Sequence, residues 1–299
     1  MLVLTLPISL PKRGTFPPRS TKMDKQINYF LRYPGGKRRL LAFLKDHLPF
    51  PEKIKGYYIE PFVGSGAVFF YLEPKKALLS DANPELIDIY RGIRYSPRKV
   101  WKTYEKFGST KEDYKHVRDQ IKEENVIGRA ARMLFLNRTC FKGMWRQNRE
   151  GKFNVGYGGQ SRRWVISETD LLVVCRRLRK ARVTCSDFEQ IIDNTNKDDF
   201  LFLDPPYKPN EMEYINSHYV WQKFRFEDHQ RLAKALKRAR IRGVEWAMTI
   251  SSNPKILALF HGCYAIRIPK GTGNLPGIMT KNSGEVLISS YKTKGSTKL

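Results

Sequence analysis

The chain has 299 residues, 41% of them hydrophobic and 12% aromatic, enough apolar material for one large core or for one core with a smaller satellite domain. Lys and Arg number 55 against 29 Asp and Glu, a formal net charge of +26; an enzyme of small metabolites gains nothing from this, whereas a partner of a polyanion gains affinity and speed of encounter. No apolar run approaches the roughly 20 residues of a transmembrane helix, which favours nucleic acid over a lipid surface as the anionic partner.

In chain order, Met1 to Leu10 are apolar but lack a preceding basic region and a small-residue cleavage pattern, and they run into the Pro-rich, basic stretch Pro11 to Lys22. Residues 1–23 are therefore expected to be a disordered basic tail rather than a signal peptide, with Met23 an alternative start. Gly35-Gly36-Lys37 then leads into a predicted helix with Leu40, Leu41, Leu44 and Leu48 on one face. Strands are predicted at Tyr57–Glu60, Ala77–Asp81, Val183–Asp187 and Phe200–Asp204, each followed by a helical segment. That alternation predicts an α/β fold with a mostly parallel sheet, whose ligands lie beyond the carboxyl ends of the strands. All four runs end there in an acidic residue. Cys263–Ile268 and Glu285–Tyr291 are expected to pair antiparallel at one edge.

Between Arg91 and Glu168 the alternation stops. This block holds 19 Lys and Arg against 8 Asp and Glu, amphipathic helical stretches, and a predicted hairpin from Met144 to Val155 turning at Asn148-Arg149-Glu150-Gly151. It is expected to be an inserted basic domain, residues 91–169, between the two parts of a main domain, 24–90 and 170–299. The four cysteines, Cys140, Cys175, Cys185 and Cys263, form no CxxC pair. No metal site is expected, and a reducing cytosol suits the chain better than a disulfide framework does.

Chemistry concentrates at the strand ends. In Phe200-Leu201-Phe202-Leu203-Asp204-Pro205-Pro206-Tyr207, an apolar strand delivers an acid, two prolines and an aromatic. Proline fixes φ and has no N–H of its own, so Asp204 and the Pro205 carbonyl form a rigid pair of acceptors, suited to an amino group on a flat ring. Tyr207 offers that ring a stacking face. The competing reading is a strand end followed by a Pro-rich turn with a solvated Asp. In Phe62-Val63-Gly64-Ser65-Gly66, the glycines permit a tight turn and close backbone approach to a ligand; without one, they make an ordinary turn. The third glycine of a dinucleotide fingerprint is absent, Phe69 standing there. Asp81 closes the next strand, where a carboxylate accepts from ribose hydroxyls. A nucleoside cofactor without pyrophosphate satisfies both facts, and S-adenosyl-L-methionine is the obvious member of that class. Lys37 suits a carboxylate or phosphate, or else is a solvated lysine in a helix-entry loop. Asp187-Phe188 suits an adenine amine and ring, or a helix N-cap and a core aromatic, or both together.

The chain resembles, from about Tyr29 to Tyr291, the Dam-type family of DNA adenine-N6 methyltransferases. The parts come in the family's order: the Gly-Gly-Lys segment, Phe-x-Gly-x-Gly, Ser80-Asp81-Ala82-Asn83, an inserted domain, Ser186-Asp187-Phe188, and Asp-Pro-Pro-Tyr. The resemblance implies a Rossmann-like S-adenosylmethionine-dependent methyltransferase fold with an inserted, mainly helical DNA-recognition domain carrying a β-hairpin. It implies that Tyr33, Lys37, Asp81 and Asp204 lie at the cofactor site, that Asp187 and Phe188 hold the cofactor's adenine, and that Asp204, Pro205, Pro206 and Tyr207 form the catalytic segment. Ser251-Ser252-Asn253 resembles a family segment near the active-site wall.

The hairpin segment Asn137 to Arg146, followed by Gly151 to Val155, resembles the family too. In relatives that read GATC, an aromatic at the position of Phe141 wedges into the duplex and an arginine at the position of Arg146 reads a guanine, whose O6 and N7 match its fork. Arg138, Phe141, Lys142, Arg146 and Asn148 are thereby expected to contact double-stranded DNA. Lys142 stands where the family usually has Asn and Gly156 where it usually has Pro, which bears on the target sequence more than on the reaction. Cytosine-N4 or RNA base-amine methylation, and a DNA-binding relative without catalysis, are the alternatives. The order of parts implies neither a membrane nor an obligate protein partner, and association with the nucleoid would come through DNA.

Overall fold

The computed structural model describes residues 30–33, 36–148, 150–159, 166–206, 224–269 and 284–299. The expected tail at 1–23, Pro34, Gly35, Arg149 and Tyr207 lie outside the described residues. After a 3-10 turn at Lys37–Leu40 come α1 (Leu41–Lys45), β1 (Tyr58–Glu60), α2 (Ala67–Leu72), β2 (Ala77–Asp81) and α3 (Pro84–Tyr95). The inserted part contributes α4 (Pro97–Glu105), α5 (Lys111–Asp119) and α6 (Val126–Thr139). Next are α7 (Glu168–Leu178), β3 (Ala181–Cys185), α8 (Phe188–Asp193), β4 (Phe200–Leu203), α9 (Phe226–Ile241) and β5 (Glu245–Ser251). The chain closes with α10 (Pro254–Leu257), β6 (Tyr264–Arg267), β7 (Glu285–Ser289) and β8 (Thr297–Lys298).

The strands form one sheet in the order β3-β2-β1-β4-β5-β7-β6-β8. The first five are parallel, and β7 runs antiparallel between β5 and β6. From β1 the chain winds outward through β2 to β3, and it restarts at β4 on the other side. The order thus reverses between β1 and β4, where an open α/β sheet forms its ligand crevice. This is a Rossmann-like topology. The predicted strands agree with it to within two residues at their ends; the fourth ends at Leu203, and the third spans Ala181–Cys185 and stops short of Asp187. Its register on β2 pairs Asp81 with Cys185, and Asp187 falls to the next helix.

Successive strand residues face opposite layers. Tyr58, Phe200, Phe202 and Ala247 join a core with α3, α6 and α7, while Ile59, Leu201, Leu203, Trp246 and Met248 join one with α8 and α9. Phe200 to Leu203 are all buried, as a central parallel strand requires. Helix α3 starts after Asn83, whose side-chain oxygen accepts from Glu85 and Leu86 N–H at 3.1 and 3.3 Å, with Pro84 as its first residue. It runs unbroken through residue 91, the expected domain boundary. Its buried Leu86, Ile89, Tyr90 and Ile93 share one core with Val100 of α4 and Leu134 and Phe135 of α6. The inserted helices are therefore built onto the sheet's own core.

Gly92 permits the close crossing of α3 and α6, since a Cβ there would lie 2.4 Å from the Ala130 Cβ. Gly92→Ala is expected to lower stability in urea unfolding by about 1–3 kcal/mol through overpacking. A variant as stable as the parent, as helix propensity alone would favour, contradicts this packing.

Candidate active site

At the end of β1 the chain turns through Val63, Gly64 and Gly66, both glycines having positive φ (48° and 65°). A side chain at Gly66 would stand 2.8 Å from the Tyr90 hydroxyl, and one at Gly64 3.3 Å from the Tyr33 ring. The turn is held by Tyr90 Oη donating to the Gly64 carbonyl at 2.9 Å and by Val63 N–H donating to the Ser80 carbonyl at 2.8 Å. Asp81, at the end of β2, accepts the Gly64 N–H on one oxygen at 3.2 Å and the Asn83 N–H on the other at 3.0 Å. Burial pushes its carboxyl up to about 6, and the N–H groups of Asn83, Gly64 and Ala82 pull against that. The glycine turn and the expected ribose acceptor are thus a single hydrogen-bonded unit.

Asp204 follows β4 directly. Its Oδ1 receives the Lys37 ammonium at 2.8 Å and the Thr249 hydroxyl at 2.7 Å. Lys37 is 6% exposed and Thr249 is fully buried. Both contacts fall on Oδ1, so the carboxylate is oriented with Oδ2 as its second acceptor. Burial raises the Asp204 carboxyl above the usual range, opposed by the charge and hydrogen bond of Lys37 and by Thr249. Pro205 is buried and Pro206 exposed. Tyr33 links the two acids: burial first, then the fields of Asp81 and Asp204, drive its phenol well above its ordinary range.

Beneath them Glu60, 3% exposed, accepts the Tyr58 hydroxyl at 2.6 Å. Burial pushes this carboxyl up to about 8, with the Tyr58 hydroxyl and Phe69 N–H pulling it down and Asp204 pushing it further up. It is a neutral acid in mildly acidic solution.

The third wall is aromatic. Phe188 is buried and stacks on Phe62 with ring centroids 5.3 Å apart. The Arg231 guanidinium lies 4.9 Å from the Phe188 centroid. Asp187 caps α8 by accepting Glu189 N–H at 2.9 Å and pairs with Arg231 at 2.9 Å. The N-cap and core-aromatic roles anticipated for this dipeptide are both present, at the carboxyl end of β3 beside Phe62.

The hairpin forms as expected. Gln147 bridges Phe153, Asn148 N–H donates to the Lys152 carbonyl at 2.9 Å, and Asn154 N–H donates to Arg146 at 3.0 Å. Phe141 is 40% exposed, with the Lys142 ammonium 5.2 Å from its ring. Arg146 donates to the Asn154 side-chain oxygen at 2.8 Å and to its carbonyl at 3.0 Å, so its fork is oriented by the facing strand. Asn148 is exposed, and its side-chain oxygen accepts the Glu150 and Lys152 N–H groups; its acceptor serves the turn.

Arg138 requires a correction. It is 3% exposed and donates to the Phe30 carbonyl at 3.3 Å, with burial pulling its guanidinium down to about 10. Arg138 holds the 30–33 segment from inside and is buried rather than presented at the surface. Its neighbour Asn137 binds the same segment twice, accepting Arg32 N–H at 2.9 Å and donating to the Arg32 carbonyl at 2.6 Å.

Thr249, Glu60 and Tyr90 escaped the sequence reading. Thr249 lies within an apolar strand and carries no motif. Glu60 showed itself only as one more strand-ending acid, and Tyr90 carries no motif.

The three cradles suit a nucleoside carrying a cationic amino-acid arm: an aromatic wall, a carboxylate beside a glycine turn, and further acids deeper in. The model of the D12 class N6 adenine-specific DNA methyltransferase family matches residues 33–272. The chain is similar to a Type II methyltransferase, M.MjaIII, of Methanocaldococcus jannaschii, 32% identical over 89% of this chain and all of that one. It is similar to the DNA N-6-adenine-methyltransferase of Escherichia phage P1, 33% identical over 77% of this chain and 30% of that longer one. A DNA adenine methylase of Vibrio cholerae is 28% identical over 80% of this chain and 86% of its own.

The buried acids predict how stability follows pH. Glu60 at about 8 lies above its ordinary 4.5, and Asp81 at about 6 above its ordinary 3.8, so between these limits the folded state binds more protons than the unfolded one. Their contribution is fully present in acid and is lost as pH rises, by up to about 1.4 kcal/mol per pH unit for each group in its range. Glu60→Gln is expected to flatten the decline between pH 6 and 8 in denaturant titrations. Parallel profiles for parent and variant would contradict the burial of an ionisable Glu60.

Proposed function

The chain belongs to the D12 class N6 adenine-specific DNA methyltransferase family, and from that premise we propose that it transfers the methyl group of S-adenosyl-L-methionine to N6 of an adenine flipped out of duplex DNA, within the sequence GATC. One observation carries this reading: a carboxylate at the crevice between β1 and β4 whose Oδ1 is taken by Lys37 and Thr249. Its Oδ2 and the Pro205 carbonyl are then the two acceptors that an exocyclic amine needs.

When bound, S-adenosyl-L-methionine supplies a methyl already activated on a sulfonium, so no covalent enzyme intermediate is required. The difficulty is the nucleophile, because the N6 lone pair of adenine is delocalised into the ring. Accepting both amino hydrogens at Asp204 and Pro205 localises that pair and aims it, which is orientation plus electrostatic stabilisation rather than strong base catalysis. On methylation N6 would shed its surplus proton along the hydrogen bond to Asp204. Burial, which raises the Asp204 carboxyl, favours its taking that proton. Tyr207, the last residue of the motif, is assigned to stacking on the extruded base.

On the cofactor side, Asp81 is assigned to the ribose hydroxyls, the Phe62–Phe188 wall with Asp187 to the adenine, and Tyr33, Lys37, Gly64 and Gly66 to the methionine end. The cradles just described support those roles. On the DNA side, exposed Phe141 fits a wedge and Arg146 a guanine reader, with Lys142 beside the backbone, where a cation adds affinity in a salt-dependent manner. The GATC assignment rests on the hairpin's resemblance to relatives that read that sequence.

Asp204→Ala is expected to abolish methyl transfer to duplex DNA, by about 10³-fold or more, while the variant still binds DNA in a mobility-shift assay. The assay should use labelled methyl donor with nucleoside analysis of the product. Turnover near that of the parent would overturn the mechanism, and N4-methylcytosine as product would move the reading to the cytosine amine.

A further inference from the structure

Glu85 lies in the first turn of α3, four residues after Asp81, and faces the root of the hairpin. One of its carboxylate oxygens, Oε2, accepts both the Trp145 indole N–H at 3.2 Å and the Gln147 side-chain amide at 3.0 Å. These two residues flank Arg146 on the strand that would read the base. Trp145 is 3% exposed, and its ring sits 6.2 Å from that of Tyr33, which in turn packs on the glycine turn. From Glu85 a second route is made of hydrogen bonds. Its own N–H donates to Asn83 Oδ1 at 3.1 Å, Asn83 N–H donates to Asp81 at 3.0 Å, and Gly64 N–H donates to Asp81 at 3.2 Å.

We infer that Glu85 is a positioning residue that ties the DNA-reading hairpin to the cofactor loop, so that sequence discrimination depends on its carboxylate. This rests on the methyltransferase reading above and deepens it. Three facts favour a geometric role over a merely stabilising one. Helix α3 does not need this side chain for its cap, which uses the Glu85 backbone and the Asn83 side chain. A partly buried carboxylate is costly to desolvate, so as a source of stability it is a poor choice. And the hairpin already has its own register, so the two side-chain donors add nothing to its strands; they set where the hairpin stands relative to Asp81 and Tyr33. Arg146, oriented within the hairpin by Asn154, is thereby oriented against the active site as well.

The test uses the full chain, the target sequence mapped for the parent protein, and the same duplex with one base pair changed. Glu85→Ala is expected to reduce the ratio of kcat/KM on the two duplexes by about tenfold, within what one bidentate guanine contact supplies. Its affinity for the methyl donor in the absence of DNA should stay within about threefold of the parent's, since Asp81 and Asn83 keep their contacts. Trp145→Phe, which keeps the ring and removes the donor, and Gln147→Met should each show part of the loss. Neither should add to it when combined with Glu85→Ala. Should Glu85→Ala fail to fold, Trp145→Phe carries the test. Undiminished discrimination would overturn the inference, as would an equal fall in rate on both duplexes, the signature of a purely structural role. If the parent methylates no DNA base, the functional reading fails and this inference with it. If the parent methylates and discriminates and the variants do so equally well, only the inference fails.

Discussion

The Asp204 carboxylate is held at the sheet's carboxyl edge by donors from two directions. Lys37 comes from the segment that precedes β1, and Thr249 from the middle of β5. Most of what surrounds the crevice serves that arrangement. The strand order reverses beside it, leaving room for ligands, and burial makes each acid there more basic than it would be in water. A carboxylate in so dry a place persists as an anion only with good partners, and the 2.8 Å ion pair to a nearly buried lysine is such a partner. The same surroundings would make any hydrogen bond from a substrate to it stronger than in solvent.

The inserted helices grip the segment that precedes Lys37 in the chain. The 30–33 segment is bound by Asn137, Arg138 and the Arg32 guanidinium, which donates to the Arg138 carbonyl at 3.2 Å. Gly143, with φ 67°, adds to this, since a side chain there would meet the Arg32 Cβ at 2.4 Å. The end of α6 thus grips the 30–33 segment, which carries Tyr33, and the hairpin that follows rests on Glu85. The inserted helices and the sheet occupy one framework, joined by the continuous core that α3 shares with α6.

How much of this was legible in the sequence follows from the range of the interactions. Phe200 to Asp204 announces itself because a buried parallel strand is apolar throughout and ends in the residue that matters. Gly64, Gly66 and Asp81 are legible for a similar reason, being local turn and strand-end chemistry. Arg138 was not legible: an arginine in a basic helix looks like a surface cation, and its burial shows only in the fold, where it meets the Phe30 carbonyl over a hundred residues away in the chain. Thr249 and Glu85 fail the same way, since their meaning lies in partners 45 and 60 residues distant. The boundary at residue 91 reflected a true change in pattern, the end of strand–helix alternation. The helix nevertheless continues through it, because α3 packs on both the sheet and the inserted helices.

The most direct test of the account is a structure of the protein bound to duplex DNA containing its target together with S-adenosylhomocysteine. The account predicts an adenine out of the base stack, its N6 within about 3 Å of both Asp204 Oδ2 and the Pro205 carbonyl, while Lys37 and Thr249 remain on Oδ1. A target base left in the stack, or an amine turned away from Asp204, would contradict it.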